Sequence, residues 1–127
     1  MNVPDDLRYT KEHEWVRVEG DEAVVGITQF AADQLGDIVF VELPDLGRAF
    51  DQHATFGVVE SVKAVSDLFA PVGGEVAAAN GDLALTPEVV NSDPYGSGWM
   101  IRVKLADPAQ VDGLLDAAAY EQLVAEG

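Results

Sequence analysis

Apolar and polar positions follow the period of strands over most of this chain and the period of a helix at its end. Residues 13–19 (HEWVRVE) alternate, Gly20-Asp21 is a turn pair, and 22–27 (EAVVGI) form a second apolar run, so 13–28 read as a hairpin. Thr28 caps a short helix through Phe30, Ala31 and Leu35, and Gly36 stops it. Strands are predicted at 37–43 (DIVFVEL) and 54–62, with the turn composition PDLG between them. A shorter strand, 64–70, ends before Pro71, and 75–79 read as extended. Residues 80–82 (NGD) signal a turn, 87–90 one helical turn, and 91–98 (NSDPYGSG) a loop. Along 99–105 (WMIRVKL) the alternation returns, with Trp99, Ile101, Val103 and Leu105 on one face.

At Asp107 the period changes. Asp107-Pro108-Ala109-Gln110 has the composition of a helix start, with Asp107 as cap, Pro108 first in the helix and Gln110 reaching back. Val111, Leu114, Leu115, Tyr120, Leu123 and Val124 then follow helical spacing. The expectation is an all-β body with short helices in one domain, 1–127, closed by a helical tail over 107–126.

Charge narrows the partners. The chain has 7 basic and 23 acidic residues among 127, a formal net charge of −16. Such a surface repels nucleic acid and anionic membranes and suits basic partner surfaces. No run approaches the ~18 apolar residues of a membrane span, and the N-terminus has neither a signal-peptide nor a transit-peptide pattern, so the cytoplasm is the expected compartment. With no cysteine, the chain has no disulfide, thiolate metal site or thiol nucleophile of its own.

Motifs of catalysis are missing. His13 and His53 form no ligand motif and read as a strand-start and a loop residue, so no metal site is expected. There is no phosphate-binding glycine loop, and Gly96-Ser97-Gly98 lacks the spacing of a nucleophile elbow. Ser61 and Lys63 share a strand face and could form a serine–lysine dyad, which leaves a small hydrolase as a rival reading.

Lys63 itself stands out. It is the only basic residue between Arg48 and Arg102, an interval that holds seven carboxylates. Val62, Ala64 and Val65 around it are poor choices for an ordinary solvated turn, and strand-type runs lie on both sides. An unpaired amine at a hairpin tip is a handle for acylation, which removes its charge.

Around this lysine, ESVKAVSDLFAPVGGEV resembles the lipoyl-attachment segment of the glycine cleavage system H protein family. RYTKEHEWVRVEGDEAVVGIT (8–28), LGDIVFVELPDLG (35–47), VNSDPYGSGWMIRVKL (90–105) and AAYEQLV (118–124) are similar to the family's other blocks, in order and spacing. The resemblance implies a barrel-sandwich hybrid fold and a carrier without catalysis of its own, with lipoate in amide linkage to Lys63 as a swinging arm. In the family, the arm takes an aminomethyl group from the pyridoxal-phosphate glycine decarboxylase and delivers it to a tetrahydrofolate-dependent aminomethyltransferase. Dihydrolipoamide dehydrogenase then reoxidises the arm, and a lipoyl-transferring enzyme installs it. A monomer is expected. The positions matching the family's cleft for the loaded arm are Glu12, Glu14 and Asp67, and those matching recognition by the lipoylating enzyme are Glu60 and Gly74. Each also has a plain reading, as strand-face or surface acids and a turn glycine.

One stretch departs from the family. Asp51-Gln52-His53 replaces a lysine-rich turn that has a glycine near 53, so that surface is more acidic than usual. A biotin carrier would place methionines beside the lysine, where Val62 and Ala64 stand. The lipoyl domains of 2-oxo acid dehydrogenases are shorter and lack the HEW and NSDPYGSGW blocks.

Overall fold

The computed structural model describes residues 3–126; residues 1, 2 and 127 of the expected domain lie outside the described residues. Among the described residues, nine strands form two antiparallel sheets. The larger contains β1 (Arg8–Tyr9), β2 (Glu14–Glu19), β3 (Glu22–Ile27), β5 (Ala49–Phe50), β8 (Gly74–Ala79) and β9 (Ile101–Leu105), in the order β1-β2-β3-β9-β8-β5. The smaller contains β4 (Ile38–Glu42), β6 (Thr55–Ser61) and β7 (Val65–Phe69), in the order β4-β6-β7. Helix α1 (Gln29–Leu35) joins the β2–β3 hairpin to β4, α2 (Val89–Ser92) precedes β9, and α3 (Ala109–Asp112) and α4 (Ala117–Glu126) follow it. Among the described residues, no helix is long and apolar enough to cross a membrane.

Val16, Ala23, Val25 and Ile27 from one sheet and Ile38, Val41, Phe56, Val59 and Leu68 from the other bury one another in the main core. Burial of such apolar area is the main favourable term in folding, at roughly 25 cal/mol per Å². A second cluster lies on the opposite face of the larger sheet, where Leu7, Tyr9, Trp15 and Val24 meet Ala117 and Tyr120 of the tail. Trp15 and Val16 point to opposite faces, yet both are buried, because β2 is covered on both sides.

The predicted hairpin at 13–28, the helix stopped by Gly36, and the strands at 37–43, 54–62 and 64–70 all occur, trimmed at their ends, and the strand at 75–79 occurs lengthened by Gly74. Thr28 caps α1 by accepting a hydrogen bond from the Ala31 amide at 3.2 Å. The expected helical tail occurs within 107–126. It is two helices, broken at Gly113, and Leu115 between them pairs as an isolated bridge with Tyr9. Gln110 does not reach back, because its side-chain oxygen accepts from the Gly73 amide at 2.7 Å. Asp107 does bond the Ala109 amide, at 3.0 Å. A 3₁₀ turn (Gly81–Ala84) follows Asn80, whose side chain accepts from the Asp82 amide. The expected helical turn at 87–90 becomes α2, which takes the first residues of the expected loop. Trp99 leaves the predicted face of β9, since it precedes the strand and packs on the second cluster, whereas Ile101, Val103 and Leu105 join the main core.

Candidate functional site

β6 and β7 are the longest-paired strands of the smaller sheet, and their register closes at Glu60↔Val65. Beyond it the Ser61 amide donates to the Ala64 carbonyl at 2.8 Å, and Val62-Lys63-Ala64 forms the tip. The Ser61 hydroxyl accepts from the backbone amides of Lys63 (3.3 Å) and Ala64 (3.0 Å). That oxygen organises the turn and engages the lysine through its backbone, which disfavours the dyad reading. Val62 and Val65 are left 69% and 68% exposed, an unusual state for two valines side by side. Lys63 is exposed and has no ion pair among the described residues. Its stem crosses the end of α1, where a Cβ on Gly36 would lie 3.4 Å from Lys63 Cε.

The outward face of this sheet continues the site. Cross-strand register aligns Phe40, Glu60 and Val65 in one row and Glu42, Val58 and Asp67 in the next, while Val41 and Val59 of the row between turn into the core. Acidic and apolar side chains therefore checker the surface below the lysine. Phe40 is 46% exposed and Glu60 half-buried.

Glu12, Glu14 and Asp67 differ sharply in environment. Glu14 is 2% exposed at the start of β2. Its carboxyl accepts from the Thr10 hydroxyl at 2.6 Å and faces the Phe69 backbone amide, and Thr10 in turn accepts from the Glu14 amide at 3.0 Å. Burial pushes the Glu14 carboxyl up to about 7, against the pull of these hydrogen bonds, and the nearby Glu12 charge adds to the rise. Because Glu14 meets Phe69, it reaches the base of the strand whose other end carries the lysine tip. Glu12 is exposed in the turn before β2, and Asp67 is exposed on the outward face of β7. Among the described residues no three His, Cys, Asp or Glu groups are gathered as for a metal ion.

Glu12 lines a cavity of about 250 Å³ with Tyr9, Thr10, Lys11, His53 and Leu114. His53, from the turn that departs from the family, thus stands beside one of the predicted cleft acids. Its φ is +74°, and its amide donates to the Ala70 carbonyl at 2.7 Å. His13 also has a positive φ, +73°. Its Nδ1 shares a 2.7 Å hydrogen bond with the Tyr120 hydroxyl, which also bonds Thr28 at 2.7 Å. Burial holds the His13 imidazole below its ordinary value, with the Glu12 charge opposing. No sequence motif marked this linkage, because its members are 92 and 107 residues from Tyr120.

Gly74 lies in the other sheet, where it pairs with both Phe50 and Leu105. A Cβ there would run into the Lys104 carbonyl oxygen and Val103 Cγ1. Packing alone therefore requires glycine at this position. Beside it, a cavity of about 570 Å³ is lined by Phe50, Asp51, Glu75, Lys104 and Leu105.

A family model described as "Glycine cleavage H-protein" matches residues 7–127. A glycine cleavage system H protein of Magnetococcus marinus is 64% identical over 120 residues, covering 94% of this chain and 86% of that protein. One of Symbiobacterium thermophilum is 59% identical, covering 99% and 98%. The crystal structure of a glycine cleavage system H protein from Mycobacterium marinum superposes with a TM-score of 0.89 at 38% identity, covering 97% of this chain and 99% of that one.

Proposed function

This chain belongs to the glycine cleavage H-protein family, and from that premise we propose that Lys63 is the residue on which it carries lipoate as the mobile subunit of the glycine cleavage system. The observation that carries the assignment is the β6–β7 tip, which offers an exposed amine, without an ion pair among the described residues, on a hydrogen-bonded turn. The residues fit the group. An amide at Nζ removes a charge that no ion pair among the described residues neutralises, and the exposed Val62 and Val65 offer the apolar stem of the arm a surface. Lipoate bound there supplies a disulfide–dithiol pair, able to carry an aminomethyl group and two electrons, to a chain that has no cysteine.

The chain's own residues hold and present. On this reading its part is to carry, and the engagement of Ser61 in the turn supports that over a serine–lysine hydrolase. Glu14 is the anchor for a cationic amine at the end of the loaded arm. An arriving positive charge favours its carboxylate, so a group that is neutral or half-ionised near neutrality becomes a counter-ion when the amine docks. Glu12 and Asp67 add negative potential at the surface on either side. Glu60, in one row with Phe40 and Val65, is the acid that the lipoyl-transferring enzyme meets directly below the lysine. Gly74 serves the same enzyme only by keeping the larger sheet intact. The partners are the decarboxylase, the aminomethyltransferase and the dihydrolipoamide dehydrogenase of the same system, met through the acidic, partly apolar face of the smaller sheet.

Intact mass and activity test the assignment together. The chain purified from its native host carries a lipoyl adduct on Lys63, and Lys63→Arg carries none. Lys63→Arg also abolishes glycine cleavage in the reconstituted system while its far-UV spectrum stays that of the wild type. Full activity in the variant, or a biotinyl adduct, would overturn the assignment.

A further inference from the structure

Few contacts tie the lysine tip to the rest of the molecule. The Val62 amide donates to the Asp37 carbonyl at 3.0 Å, and the Lys63 stem rests over the α-carbon of Gly36. Both contacts fall on residues 36–38, the sharp link between α1 and β4. Gly36 has φ +83°, a conformation that favours glycine, and a side chain there would also occupy the path of the lysine stem.

One side chain holds this link from behind. Asn91, at the end of the short helix α2, donates from Nδ2 to the Gly36 carbonyl at 2.8 Å and accepts at Oδ1 from the Ile38 amide at 2.8 Å. Its amide thus spans Asp37, the residue whose carbonyl receives the tip. Asn91 is itself fixed, because its own carbonyl accepts from Gln29 Nε2 of α1 at 3.2 Å. A planar amide that makes two short bonds to the two neighbours of one residue sets that residue's carbonyl direction.

On the reading of Lys63 as the attachment point, we infer that Asn91 is a positioning residue: its amide orients the 36–38 shelf and thereby the direction in which the lysine amine is offered for acylation. In that step the Nζ–carbon bond forms on the carbonyl of a lipoyl adenylate, the bond to AMP breaks, and Nζ releases a proton. The rate depends on the angle and distance at which a long, otherwise free side chain presents its nitrogen. Asn91 touches none of the reacting atoms and acts through Gly36 and Asp37.

The test compares Asn91→Ala, Asn91→Asp and Leu123→Ala with the wild type. Asn91→Asp is nearly isosteric and keeps the acceptor for Ile38 while losing the donor to Gly36. Leu123→Ala, in α4, is a destabilised control remote from the tip. Lipoylation by a lipoate–protein ligase with ATP and lipoate should fall about tenfold in kcat/KM for both Asn91 variants. In ¹⁵N-labelled unlipoylated chain, exchange of the Val62 amide should quicken, and the proton contact between Gly36 Hα and Lys63 Hε should disappear. Leu123→Ala should change neither, at any matched loss of thermal stability. Wild-type exchange and contact in Asn91→Asp, or a lipoylation defect no larger than that of Leu123→Ala, would overturn the inference. The exchange and contact measurements need no lipoate. A wild-type chain left unmodified at Lys63 would instead count against the attachment reading.

Discussion

At the residue scale, two ionisable groups set apart from their kind mark the candidate site. Lys63 is exposed and without an ion pair among the described residues, whereas Glu14 is buried with its carboxyl pushed up to about 7. Burial is the leading cause, so the native state retains a proton that the unfolded chain, with its carboxyl near 4.5, has already released. Native stability should therefore fall as pH rises from about 4.5 to about 7, and the loss should level off above that. Glu14→Gln cannot titrate and should escape this loss. Thermal melts across pH should show the variant gaining on the wild type through that window, by on the order of 3 kcal/mol at its upper end. Parallel curves would mean that Glu14 titrates at its ordinary value. Lys63 could be picked out in the sequence because an isolated amine among carboxylates is a property of composition. Glu14 could not be told from Glu12 there, because burial depends on Thr10 and on the Phe69 amide of a distant strand.

At the element scale, the strands were legible because period-two alternation survives wherever one face is buried. The two-residue strands β1 and β5 were not, being too short to show a period. The tail was legible as helical, but its break was not. Its apolar spacing is helical, but Leu115 is taken by a bridge to Tyr9 and Gln110 by the Gly73 amide, so the helix breaks between them. α4 then latches through Tyr120, whose hydroxyl meets His13 and the α1 cap Thr28. Tyr120→Phe leaves both partners short of a bond and should cost about 1 kcal/mol, measured by urea unfolding. In a double-mutant cycle with Thr28→Ala its cost should be less than additive. Gly74→Ala belongs to the same scale. It pushes a methyl group into the β8–β9 pair, so its melting temperature should drop by several degrees, and any lipoylation defect should vanish at temperatures where the variant is folded. A defect that persists in the fully folded variant would return Gly74 to direct recognition.

At the scale of the whole molecule, charge dominates. A net charge of −16 on 127 residues makes the chain repel itself, and the described residues form only a small network of ion pairs, joining Arg17 and Arg102 to Glu19 and Glu22. Raising sodium chloride from 20 to about 500 mM should therefore raise the melting temperature, because screening relieves long-range repulsion more than it weakens these exposed pairs. A falling melting temperature would show that local pairs outweigh the repulsion. The same excess, spread over Glu42, Glu60 and Asp67 on the outward sheet face, sets the kind of partner surface that can approach the lysine.

Much was determined by the sequence alone: the strand content, the single lysine at a hairpin tip, the absence of thiol chemistry and the family that the ordered blocks resemble. These follow from local period, from composition and from motifs, which are written along the chain. Only the tertiary structure decided which acid is buried, that Gly74 is held by sheet packing, and that Asn91 bonds both ends of the 36–38 shelf beside the lysine. Each of those depends on groups distant in sequence closing around one another, and burial and hydrogen-bond geometry exist only once the sheets have packed.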